Sequence, residues 1–172
     1  MFQRMLASVF VSLLCFLPIS PAFAERYTVT VDYSQSLRQM ITNARFDDVG
    51  PAVKEENFPR MEKGKIVVAV ELISIDQYVV GDEALKKIAL MGYRPATLHE
   101  TLAMIAADPT LLNKSGPPII ALGSPWLNKN GHIAVILMRT ATKAETSIRM
   151  IYPIGAGVLG WHEQVRFAVV PK

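Results

Sequence analysis

Cysteine is nearly absent from this 172-residue chain, which has one, Cys15. It sits in a segment with the layout of a secretory leader, so the processed chain is expected to have no thiol chemistry and no disulfide. Histidine is scarce too. His99, His132 and His162 are the only three. No two stand at a close metal-ligand spacing, even with Glu163 beside His162. We therefore expect no bound metal and no cofactor. An excess of one charge is also missing. Lysine and arginine number 18 against 15 acidic residues, and removing Arg4 with the leader leaves 17 against 15. So even a balance argues against a nucleic-acid partner. Beyond the leader no apolar run is long enough to span a bilayer, so no stable membrane insertion is expected after processing. Internal repeats and low-complexity tracts are absent.

The leader reading covers residues 1–24. Arg4 supplies a basic start, residues 5–17 are an apolar core, Pro18 breaks it, and Ala22-Phe23-Ala24 is a cleavage signal. Leu14 stands where lipid attachment at Cys15 would want a small residue. The chain is thus expected to be exported, to the periplasm or beyond. About 148 residues would remain, enough for one domain that buries roughly two thirds of its unfolded surface. Within it, residues 25–60 read as a strand, a helix and a connector, and residues 61–172 as an α+β core in the same domain.

Residues 81–107 read as two short helices joined by a corner. Asp82 is the expected N-cap of the first, and Ala84, Leu85, Ile88 and Ala89 form its apolar stripe. Gly92 is placed to end that helix in a left-handed conformation, and Pro95 prevents its continuation. Thr97 with Glu100 is a capping box, and Leu98, Leu102 and Ile105 start a second stripe. Around the corner, residues 27–31 alternate as a strand, residues 35–44 carry helical spacing, and residues 46–60 form a connector. Lys54-Glu55-Glu56 reads as solvated surface. Residues 65–75 are the strongest strand, and Glu71 reads as the edge of its buried part. After Pro117-Pro118 come strands over 119–122, 132–139, 148–152 and 165–170, with a bend at Gly123-Ser124-Pro125-Trp126 and a hairpin signal at Asn130-Gly131. The expected fold is α+β, with helices on one side of an antiparallel sheet.

Two resemblances follow from these strings. YTVTVDYSQSLRQMI, GYRPATL, PIIALGSPW and the ending RFAVVPK resemble a family of small exported bacterial proteins with no assigned activity. That resemblance spans residues 25–172 and implies no function. The chain departs from the family at residues 148–160, which are apolar and glycine-rich where acidic and aromatic residues are usual. The order of strand, G-x-R-x-x-T corner, second helix and tryptophan-bearing strand is similar to the C-type-lectin-like superfamily. The corner of Gly92, Arg94, Pro95 and Thr97 is similar to one in its formylglycine-generating-enzyme branch. In that branch the corner is structural, so the resemblance implies a fold and no catalytic residue.

Few residues suggest chemistry. Ser124 is followed by Pro125, which forbids the helix that a nucleophile elbow feeds. Gly155, Gly157 and Gly160 do not lead from a strand into a helix, so they form no phosphate loop. Trp126, Asn128 and Asn130 are similar to a tryptophan-asparagine pairing of calcium-dependent lectins, but no acidic neighbour offers the oxygen ligands calcium needs. His99 is expected on the exposed side of its helix. What remains is a set of aromatic and polar residues at strand ends: Trp126, Asn128, Tyr152, Trp161 and Arg166. Aromatics offer contact area at low entropic cost, and Arg and Asn add directional bonds. The expected function is an exported, non-catalytic binding module for a protein partner or a cell-envelope glycan, using these five residues. The alternatives are a small metal-dependent enzyme or hydrolase built on His162 and Glu163, and an inhibitor or immunity-type protein.

The leader reading makes a direct prediction. Intact-mass and N-terminal analysis of protein recovered from the cell envelope should show Glu25 as the first residue. A chain still carrying residues 1–24, or a lipid adduct on Cys15, would refute it.

Overall fold

A computed structural model describes residues 25–116, 118–127, 133–140, 146–154, 161 and 164–172. Residues 1–24, 117, 128–132, 141–145 and 155–160, with His162 and Glu163, lie outside the described residues. The class is α+β. Strands β1 (Glu25–Asp32), β2 (Asp48–Val49), β3 (Lys65–Ser74), β4 (Tyr93–Pro95), β5 (Ile119–Leu127), β6 (Ile133–Thr140), β7 (Thr146–Ile154) and β8 (Arg166–Pro171) form one sheet. Its order is β1-β3-β8-β5-β6-β7-β2, with the short β4 attached to β8. The helices are α1 (Leu37–Asn43), α2 (Gly81–Leu90), α3 (Leu98–Ala107) and α4 (Leu111–Ser115).

The sheet is mixed, not antiparallel throughout. β5 runs parallel to β8, and β2 runs parallel to β7. Nor are the helices confined to one face. Side chains alternate along a strand, so each central strand feeds two cores. From β5, Ile119 and Ala121 join Leu98, Leu102, Leu111 and Leu37 in the larger core under α1, α3 and α4. Ile120 and Leu122 join Ala84 and Ile88 of α2 in a smaller core on the other face. β8 divides the same way, Ala168 and Val170 to one side and Phe167 and Val169 to the other. Buried on both faces, these strands are apolar runs in the sequence, and the runs do not show which face a helix covers.

The local signals are met with shifts in register. Gly92 has φ 86°. The N-cap of α2 is Val80, not Asp82, which lies inside the first turn where its charge favours the helix dipole. Ser36 caps α1 in a capping box with Gln39. The Glu55 carboxylate, expected on a solvated run, accepts from the Leu37 amide at 2.7 Å. Glu71 is not at an edge. It is buried under β4, accepting from the Tyr93 hydroxyl at 2.8 Å and from Arg26 at 2.6 Å. The bond to Glu71, with burial, raises the Tyr93 pKa.

The bend at Gly123-Ser124-Pro125 is a bulge inside β5. Ala121 faces Ile136 and Trp126 faces Ala134, so five steps of β5 oppose two of β6. The surplus residues reach the corner before α3. The Gly123 amide donates to the Ala96 carbonyl at 3.0 Å. A Cβ on Gly123 would stand 2.5 Å from that oxygen. Gly92, in contrast, has nothing within 4 Å of a built Cβ. The two glycines should therefore answer differently in chemical denaturation. Gly92→Ala is expected to cost about 1 kcal/mol, from its backbone conformation. Gly123→Ala is expected to cost more, about 2–3 kcal/mol, because backbone must move on both sides. Equal midpoints for the two variants would contradict this contact.

Candidate functional site

The start of α3 is where side chains from four parts of the chain converge. Thr97 adopts an extended N-cap conformation and accepts from the Glu100 amide at 3.2 Å. Glu100 returns the bond, accepting from the Thr97 amide at 2.8 Å. The same carboxylate takes both Arg94 nitrogens, at 2.6 and 2.9 Å, in a bidentate pair. Burial works to raise the Glu100 pKa, but the bonds from Arg94 and Thr97 outweigh it and hold the carboxyl below its usual range. The Ser124 hydroxyl, delivered by the β5 bulge, accepts from the Leu98 amide at 2.8 Å. So the orphan amides of the first turn are met by a serine 26 residues away as well as by the local capping box.

Beside this turn lies a cleft of about 420 Å³, walled by Tyr33, Phe58, Met61, Arg94, His99 and Ser124, among others. His99 is 3 % exposed, not on the open side of its helix, and its ring lies 5.7 Å from that of Tyr33. Among the described residues nothing bonds to its Nε2. Burial lowers the His99 pKa, so the ring is neutral at neutral pH. Burial and the Glu100 charge raise the pKa of Tyr33, which stays a phenol. Arg94 and Glu100 neutralise each other and the exposed Glu62 adds one acidic group to the lining, so the cleft presents mainly aromatic and thioether surface around a few fixed dipoles. No group of three or more potential metal ligands occurs among the described residues. No described helix is long and apolar enough to cross a membrane.

Of the five residues expected to form a binding face, Trp126, Trp161 and Arg166 are not brought together. Trp161 is 5 % exposed, bridged through its backbone to Val79, with its ring edge-on to Phe167 at 6.2 Å. It is a core residue of the α2 side. Trp126 lies within β5, partly buried against the larger core. Arg166 opens β8, half-buried, 3.8 Å from Glu25. Arg166 faces Ile119, which faces Met138, whereas Trp126 faces Ala134. Four steps of β6 separate those levels, roughly 13 Å along the sheet. Tyr152 lies in β7 beside Ile151, which faces Val135, so its backbone is at the Trp126 end. Asn128 is outside the described residues, as are His132, His162 and Glu163. Tyr33, Phe58 and Met61 went unnoticed in the sequence because nothing there shows that the connector folds over the start of α3.

Comparison with known proteins gave no match: no protein-family model, curated protein or solved structure matches this chain.

The buried neutral imidazole sets a pH dependence. Its folded pKa lies below the unfolded value of about 6.5, so in that window the unfolded chain binds the extra proton. Stability should fall as pH drops below about 6.5 and level off below the folded pKa. His99→Gln should flatten that part of a stability-versus-pH curve measured by urea melts. An unchanged slope in the variant would show that His99 is not the group responsible.

Proposed function

We propose that this chain is an exported, non-catalytic binding protein whose ligand sits in the cleft at the start of α3. One observation carries the reading. Apart from His99, the polar groups at the start of α3 that line this cleft are already committed to holding its shape. Ser124 accepts from Leu98, Thr97 from Glu100, and Glu100 holds Arg94 and the Thr97 amide. A carboxylate held ionised by a bidentate arginine is a weak base, and the Ser124 hydroxyl serves as a helix cap with no base bonded to it among the described residues. The volume of about 420 Å³ falls within the range of small-ligand sites. Its walls suit an uncharged ring, such as one residue of an envelope glycan or an aromatic side chain from a protein partner. Export rests on the leader pattern of residues 1–24.

The test is capture of envelope-derived glycans and peptides by the chain, followed by nuclear magnetic resonance of the loaded protein. Retained compounds should keep their mass and shift the amides of Thr97 to Thr101. Met61 is 82 % exposed at the rim, so Met61→Glu should weaken capture without unfolding the chain, by about tenfold if it is a contact hot spot. Arg166→Gln, at the far end of the sheet, should leave it unchanged. Turnover of a retained compound, or loss of capture in Arg166→Gln but not Met61→Glu, would overturn the reading.

A further inference from the structure

The free edge of the sheet at β1 carries a second inference, independent of the cleft. β1 is the first strand of the sheet and, among the described residues, pairs only with β3. All eight of its residues pair without a register shift. It has no proline, and none of its backbone groups before Asp32 is bonded elsewhere among the described residues. Natural sheets guard such an edge with a bulge, a proline, charged side chains or a very short strand. The opposite edge follows that rule, since β2 is only two residues long. β1 has charges only near its ends, at Glu25, Arg26 and Asp32, and its central Thr-Val-Thr-Val alternation is the composition that favours pairing.

We infer that β1 pairs antiparallel with β1 of a second copy of this chain, about a two-fold axis at Val29. Three observations choose that occupant and register. First, the solvent face of β1 carries Arg26, Thr28, Thr30 and Asp32, and the core face carries Tyr27, Val29 and Val31. Pairing that keeps core face beside core face needs residues of the same parity opposite each other. Second, centring on Val29 sets Arg26 of each copy opposite Asp32 of the other and Thr28 opposite Thr30. Centring on Thr28 sets Arg26 against Thr30, and centring on Thr30 sets Asp32 against Thr28, so neither unites the charges. Opposite charges facing each other across strands are favourable pairs. Third, a groove of about 350 Å³ lies beside β1, walled by Val29, Met40, Leu102, Ala103 and Ala106 with their neighbours. Alanines at two of these positions leave room for a large side chain. In the Val29 register Tyr27 of the second copy lies opposite Val31 and diagonal to Val29, on the side of this groove. The pairing would continue one sheet through both copies, with α1 and α3 on the same face.

The experiment is sedimentation velocity and light scattering of the isolated chain over its attainable concentration range, with circular dichroism melts to confirm folding. Twice the monomer mass is expected at the upper end. Thr28 and Thr30 are exposed, so Thr28→Lys with Thr30→Lys should fold normally yet sediment as a monomer, since four like charges would face one another. Arg26→Asp should weaken the dimer, and adding Asp32→Arg should restore it. Arg26 also binds Glu71, so the threonine variant decides the matter if the arginine variant is unstable. A wild-type monomer at every concentration would overturn the inference, including one whose β1 amides are protected only by an added extended peptide. A dimer indifferent to the lysine pair would overturn it equally.

Discussion

The contact on which this fold depends is the approach of the β5 bulge to the corner before α3. Two bonds make it, Gly123 amide to Ala96 carbonyl and Leu98 amide to Ser124 hydroxyl. The corner is also tied to β8, through the Ala96 amide and the pairing of β4. Three elements far apart in sequence therefore meet at one turn. The capping box closes α3 locally, but a box does not fix a helix against a sheet. The serine does, because it satisfies an amide of the helix from a strand. The glycine permits it, because any side chain at that position would meet Ala96. The cleft wall beside Tyr33 and His99 inherits its geometry from this junction.

Much of this was legible in the sequence, but in pieces. Thr97 and Glu100 stand at capping-box spacing, Gly92 follows an apolar stripe, and both take the conformations expected. The α+β order was legible from alternating and continuous apolar runs. What failed were inferences across distance. The sequence places Trp161 among aromatic and polar residues at strand ends, yet its backbone bridges to Val79 and its ring joins the α2 core. Periodicity reports that a residue is apolar and not which core receives it. Trp126 and Arg166 were grouped because both flank strands, and strand ends alternate between the two ends of a sheet. Only register resolves that, and register rests on long-range pairing. His99 was placed outward by helical position, but the connector residues Phe58 and Pro59 cover that side.

The two buried carboxylates show how burial and charge are reconciled without chemistry. Glu71 lies on one side of β4 and Glu100 beyond its other end, and each is met by an arginine whose side chain is largely or partly exposed. An arginine can keep part of its guanidinium hydrated while serving a buried oxygen, so desolvation falls mainly on the carboxylate. Replacing such an arginine would strand a buried charge, which is a structural reason for both residues. Neither carboxylate is therefore evidence of an active site. In the sequence Glu71 reads as the edge of a buried run and Glu100 as half of a capping box, and neither reading shows the arginine that each one holds.

His99 differs from these carboxylates in having no partner among the described residues. Leaving a buried ring nitrogen unbonded costs on the order of 1–3 kcal/mol, and an apolar side chain of similar shape would avoid that cost. The rest of the first turn of α3 is thoroughly satisfied, so the exception is local and not a sign of loose packing. It occurs on the wall of the cleft, in contact with Tyr33 and beside a neutralised ion pair. The Trp161 indole nitrogen is likewise buried without a bond among the described residues, but it lies in the α2 core and not on the wall of this cleft. That difference in place is why the proposed ligand is assigned to the cleft and not to the dispersed tryptophans.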